Sequence, residues 1–139
     1  MAFFMSKINW NFDNTYSYLS NAFKENINPI PVIKPELILI NKTLAKELSL
    51  DFSKVTEKEL SEIFSGNLLP KGSNSIAQAY AGHQFGHFTM LGDGRAVLLG
   101  EHVSKKNKKY DIQFKGSGKT AFSRNGDGRA ALGPMLREY

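Results

Sequence analysis

Hydrophobic and polar positions alternate most cleanly over residues 110–115. There Tyr110, Ile112 and Phe114 fall on one side and Asp111, Gln113 and Lys115 on the other, the period of a half-buried strand. Residues 95–102 hold the apolar run Ala96, Val97, Leu98 and Leu99, and a hairpin across the intervening lysine-rich stretch would pair the two segments antiparallel. Helical spacing appears in two clear places. Thr56 and Glu59 form a capping-box pair ahead of Leu60, Ile63 and Phe64, with Gly66 as a stop. Leu132, Met135, Leu136 and Tyr139 fall at i, i+3, i+4 and i+7, with Pro134 in the first turn. Asn41 caps a further helix carrying Leu44 and Leu48 and ending near Asp51. The run 37–40, bounded by Pro35 and Asn41, reads as a buried strand. A short helix is expected near 15–24, followed by chain that Pro29, Pro31 and Pro35 keep extended.

From Gly72 onward glycine becomes frequent and the pattern reads strand, turn, strand, turn, strand. The organisation expected is α+β, with an N-terminal extension over 1–70 and a glycine-rich core over 71–139. The last helix reaches the end of the chain with neither cap nor glycine, so we expect the sequence to be truncated relative to its fold. Hydrophobic residues at 41% and charged residues at 22% are ordinary for a folded chain. The net charge of +5 points to an anionic partner. Much of it is local, in Lys105, Lys106, Lys108 and Lys109, which read as a solvated hairpin tip; no basic stripe interleaved with aromatics accompanies them, so no nucleic-acid partner is expected. Without cysteine there is neither disulfide nor thiolate metal site. The opening residues are too short and polar for a signal peptide, and no apolar run approaches the ~20 residues of a membrane span. A cytoplasmic location without membrane contact is the expectation.

Glycine-rich motifs carry the candidate chemistry. The pentapeptide Gly-Asp-Gly-Arg-Ala occurs at 92–96 and again at 126–130. Each copy can be a tight turn, or a backbone whose free amides admit phosphate while arginine supplies a charged fork. Gly118-Lys119-Thr120 ends like a P-loop, but that motif needs glycine where this chain has Gln113. A dinucleotide fingerprint starting at Gly92 fails at Val97. His83 and His87, four apart, could share a metal on a helix, but no carboxylate pattern completes a site, and hydrogen-bonded structural histidines are the simpler reading. Lys115 closes a strand directly before Gly116-Ser117-Gly118, and Glu138 follows 23 positions later on a helix. A strand lysine held by a helix glutamate beside nucleotide phosphates is the protein-kinase arrangement. The alternative is two surface charges that never meet.

Four blocks in order, Gln78 to Gly86, Leu91 to Ala96, Tyr110 to Gly118 and Arg124 to Tyr139, resemble the selenoprotein O family, also called YdiU. The resemblance covers the whole chain. It implies the N-lobe portion of a protein-kinase-like fold, with an antiparallel sheet and flanking helices, belonging to a pseudokinase-type protein adenylyltransferase. Such enzymes bind ATP and transfer AMP to Ser, Thr or Tyr hydroxyls of proteins, releasing pyrophosphate. Carried over by position, Gly92, Gly94, Arg95, Lys115, Asp127 and Gly128 would contact ATP, and Glu138 would hold Lys115. The resemblance also implies that the catalytic base, the Mg2+ or Mn2+ ligands, further arginines and the second lobe follow Tyr139. The 139 residues alone are therefore expected to fold marginally, to bind ATP weakly at best and to transfer nothing. UMP transfer with manganese by the same fold, and a non-catalytic stub, remain alternatives; oligomeric state and target proteins are not legible.

Overall fold

A computed structural model describes residues 8–139. The opening segment weighed above as a leader lies, through residue 7, outside them. Strands β4 (Ala96–Val103) and β5 (Lys109–Lys115) form the antiparallel hairpin that the pattern predicts. Along β5 burial alternates residue by residue, Tyr110, Ile112 and Phe114 turned in and Asp111, Gln113 and Lys115 turned out. At the tip the Ser104 amide donates to the Lys108 carbonyl at 2.8 Å, and Lys105, Lys106 and Lys108 stand in solvent. Lys109 is the exception among the lysines, because its ammonium reaches the Asp13 carboxylate at 2.7 Å. β4 is buried over almost its whole length, as a strand covered on both faces must be.

The inward face of β5 meets a layer built by helices α1 (Lys42–Glu47) and α2 (Glu57–Phe64). Ile8, Leu48, Leu50 and Leu60 form the centre of this core, with Phe64, Tyr110 and Ile112 packed against it. The capping box of α2 is complete, the Thr56 hydroxyl accepting the Glu59 amide and the Glu59 carboxylate accepting the Thr56 amide. Asn41 caps α1 as expected, but that helix stops short of Asp51. Ser49 takes a left-handed φ of 63°, its amide and that of Leu50 closing on the carbonyls of Lys46 and Ala45. This is a Schellman ending with serine in the place usually held by glycine. His102 ties the layers together from 1% exposure: its Nδ1 accepts the Asn11 amide and its Nε2–H donates to the Leu48 carbonyl.

Three strands complete the sheet. β2 (Ile76–Gln84) pairs through its first residues with β1 (Lys24–Asn26) on one side and touches β4 at Leu98 on the other. Its second half leaves that sheet and pairs with β3 (His87–Gly92), so a two-stranded hairpin projects beyond the core. Phe85 and Gly86 turn the hairpin, at φ 60° and 83°, the positive values a two-residue loop demands.

Two expected elements are absent. In place of a helix over 15–24 there is one 3₁₀ turn, Thr15–Tyr18, followed by β1. The carboxylate of Glu101, 3% exposed, takes the Thr15 hydroxyl and the Tyr16 amide, and the open edge of β2 takes the backbone from Lys24 onward. Long-range partners outweigh weak helical propensity here. The run 37–40 is not a strand: Leu37 and Ile40 enter the core as side chains, while Ile38 and Leu39 are half exposed. α3 (Leu132–Glu138) forms as predicted, and Leu132 and Leu136 on it and Tyr139 just after it are exposed.

Candidate functional site

The two Gly-Asp-Gly-Arg-Ala copies do different work. In the first, Asp93 is buried; its carboxylate accepts the Gln78 amide at 3.0 Å and, less closely, Gln113 Nε2 at 3.4 Å. Burial pushes its carboxyl pKa above the ordinary value, the Gln78 hydrogen bond opposing this in part. The expectation of free amides is not met here: the Asp93 amide donates to the Gln78 carbonyl and the Gly94 amide to the Gly92 carbonyl. The glycines are needed for another neighbour. A side chain at Gly92 would overlap the Phe122 ring, and one at Gly94 would come within 2.7 Å of the Phe122 carbonyl oxygen. Arg95 then leaves the turn exposed, with no protein partner for its guanidinium among the described residues.

In the second copy the aspartate is outside and the arginine is used up. Asp127 accepts the Arg129 amide at 2.8 Å in a local turn, and the Arg129 guanidinium donates to the Ile30 carbonyl at 3.1 Å. Gly128 crosses directly against Gly118, whose amide donates to the Gly128 carbonyl at 3.1 Å, and Ser117 bridges Arg129. The proline-flanked N-terminal segment joins them, the Ile30 amide donating to the Ser117 carbonyl at 2.8 Å.

Lys115 and Glu138 do meet. The ammonium lies 2.6 and 2.8 Å from the two carboxylate oxygens. The side chains are 37% and 51% exposed, so the pair contributes only about 0–1 kcal/mol to stability. Its effect is positional: a flexible lysine is held at the end of β5, where its backbone pairs with Ala96, the residue after Arg95. The Gly116 amide closes the same corner on the Arg95 carbonyl at 2.6 Å. Gly94, Arg95, Asp127 and Gly128 thus lie in adjoining turns at one end of the sheet, Gly92 and Lys115 close the strands that lead into such turns, and Glu138 reaches in from α3.

His83 and His87 are not part of this. They flank the hairpin turn on strands rather than sharing a helix, and both are exposed. Neither imidazole has a hydrogen-bonding partner among the described residues; His83 only sets its ring edge against Phe88 at 5.4 Å. Thr120, weighed above only as a P-loop ending, fastens the two glycine-rich turns together with Phe122 and Ser123. The Thr120 hydroxyl donates to the Asp93 carbonyl at 2.6 Å and the Ser123 hydroxyl to the Gly94 carbonyl at 2.5 Å. No local pattern marks them.

The structure is α+β, an antiparallel sheet ending in glycine-rich turns, with Arg95 exposed and Lys115 held by Glu138. A profile of the family described as "Protein adenylyltransferase SelO" matches residues 6–139. The chain belongs to that family. It is 71% identical over 132 residues to the protein nucleotidyltransferase YdiU of Pelagibacter ubique, covering 95% of this chain and 27% of the relative. The Nitrosococcus oceani protein of the same name is 60% identical, again over 95% and 27%. That of Anoxybacillus flavithermus is 58% identical over 94% and 27%. The chain therefore spans about a quarter of the length of these relatives. No helix among the described residues is long and apolar enough to cross a membrane.

Proposed function

We propose that the turns at this end of the sheet hold the phosphates of ATP, and that the chain serves, as part of a longer polypeptide, in protein AMP transfer. The observation that carries the reading is the Lys115–Glu138 pair at a strand end whose next amide, that of Gly116, is bonded to the Arg95 carbonyl, with the Arg95 guanidinium exposed and unpartnered among the described residues. Two cations at adjoining strand ends offset phosphate charge, and the glutamate keeps the lysine extended toward the ligand. The sheet is compatible with the N-lobe of a kinase-like fold. In the overall reaction a protein Ser, Thr or Tyr hydroxyl oxygen bonds to the α-phosphorus of ATP, the bond between the α- and β-phosphates breaks, and pyrophosphate leaves. The hydroxyl proton passes to a base outside these residues.

Mg2+ or Mn2+ is a different matter. Among the described residues no three His, Cys, Asp or Glu side chains gather as a metal cage, so no step is assigned through a metal here.

Titrating the 139-residue chain with ATP, followed by amide chemical shifts, tests the site. Shifts focused on residues 92–95, 115–118 and 127–129, lost in Lys115→Met, are expected. Shifts scattered over the surface, or unchanged binding by Lys115→Met, refute it. Incubation with labelled ATP, magnesium or manganese and a protein substrate is expected to leave no covalent label on protein.

A further inference from the structure

We infer that Thr120 and Ser123 are positioning residues, which set Arg95 for its phosphate by clamping the first glycine-rich turn from behind. The inference rests on the ATP-site reading proposed above. Both side chains are buried, at 7% and 9% exposure. Each hydroxyl is used twice. Thr120 Oγ1 accepts the Phe122 amide at 3.1 Å and donates to the Asp93 carbonyl at 2.6 Å. Ser123 Oγ accepts the Thr120 amide at 2.8 Å and donates to the Gly94 carbonyl at 2.5 Å. Phe122, between them, fills the space left by the missing side chains of Gly92 and Gly94.

The chemistry is specific to hydroxyls. A single group must donate across to the other turn while accepting within its own, which Ser and Thr do and Val or Ala do not. The two carbonyls gripped belong to the residues immediately before Arg95. Asp93, on its other side, is held to β2 through Gln78. The peptide that launches Arg95 is thereby fixed from both sides, although nothing holds the guanidinium itself. A preorganised cation loses less freedom on meeting its anion, which is how remote residues raise affinity. The clamp also makes the two glycine-rich turns one body, so Arg95 and the Asp127–Gly128 turn face a ligand in a constant relation.

The test is ATP titration of the longer polypeptide that carries these residues, as wild type, Thr120→Val, Thr120→Ser, Arg95→Ala and the double variant Arg95→Ala/Thr120→Val. Thr120→Val is expected to raise Kd about 5–10-fold, Thr120→Ser to restore it, and Thr120→Val to add less than about 2-fold once Arg95 is gone, since residues acting through one hydrogen-bond network couple. Hydrogen exchange without nucleotide gives a second reading: Asp93 and Gly94 amides speed up in Thr120→Val while the Ser104–Lys108 tip does not. Equal effects of Thr120→Val in both backgrounds, or unchanged exchange at Asp93 and Gly94, overturn the inference while leaving the ATP site standing. A wild-type chain that binds no ATP overturns the site itself and the inference with it.

Discussion

Gly128→Ala should be among the most damaging single-methyl changes in this chain, and in the absence of any ligand. Gly128 sits at φ 70° and its backbone crosses the Gly118–Lys119 peptide. An added Cβ would overlap the Gly118 carbonyl oxygen and stand 2.5 Å from the Lys119 nitrogen. Both are backbone atoms, which cannot swing aside as a side-chain tip can. The left-handed conformation costs an alanine about 1–2 kcal/mol. Displacing the crossing weakens the Gly118–Gly128 hydrogen bond, worth about 0.5–1.5 kcal/mol. Together these come to about 1.5–3.5 kcal/mol, a large share of the ~5–15 kcal/mol that usually separates folded from unfolded states. With a urea dependence of about 2 kcal/mol per M, the unfolding midpoint should fall by about 1–2 M. Gly82→Ala is the control, because no atom lies within 4 Å of where its methyl would stand and its φ is not positive; it should be neutral or slightly stabilising. Equal midpoints for the two variants would refute the argument that close approach, rather than ligand contact alone, demands glycine at 128.

Glu138→Gln should change stability by less than about 1 kcal/mol, because the ion pair is exposed, yet weaken ATP binding several-fold; a matching loss of both, by urea unfolding and titration, would contradict the positional role. Asp93→Asn should become relatively more stabilising as pH rises. The raised folded pKa of Asp93 means the native state binds the proton more tightly than the unfolded chain, whose carboxyl keeps about its ordinary value of 3.8. Wild type therefore loses this contribution as pH climbs from 3.8 through the folded pKa. A stability difference between the two proteins that stays flat from acid to neutral pH would show the burial argument to be wrong. His102→Phe should cost about 2–4 kcal/mol in urea unfolding, since the Asn11 amide and Leu48 carbonyl would both lose their buried partner; a cost under about 1 kcal/mol would mean water replaces the ring.

What the sequence alone determined has causes lying within a few residues. The alternation of β5 and the Thr56–Glu59 box of α2 are local periods and caps, and both form as their spacing predicts. The Lys115–Glu138 pair was legible as a candidate because a strand and a helix could each be assigned from such periods, though only the fold brought their ends together. The rest depended on partners far away. Glu101 claims the Thr15–Tyr18 turn from 86 positions off, replacing the expected helix, and Arg129 grips Ile30 across 99. The two Gly-Asp-Gly-Arg-Ala copies are identical as text, yet one buries its aspartate and frees its arginine while the other does the opposite. Nothing within the pentapeptide distinguishes those outcomes. They follow from what each turn packs against, Phe122 and β2 for the first, Gly118 and Ile30 for the second, and packing is decided only when the whole chain has closed.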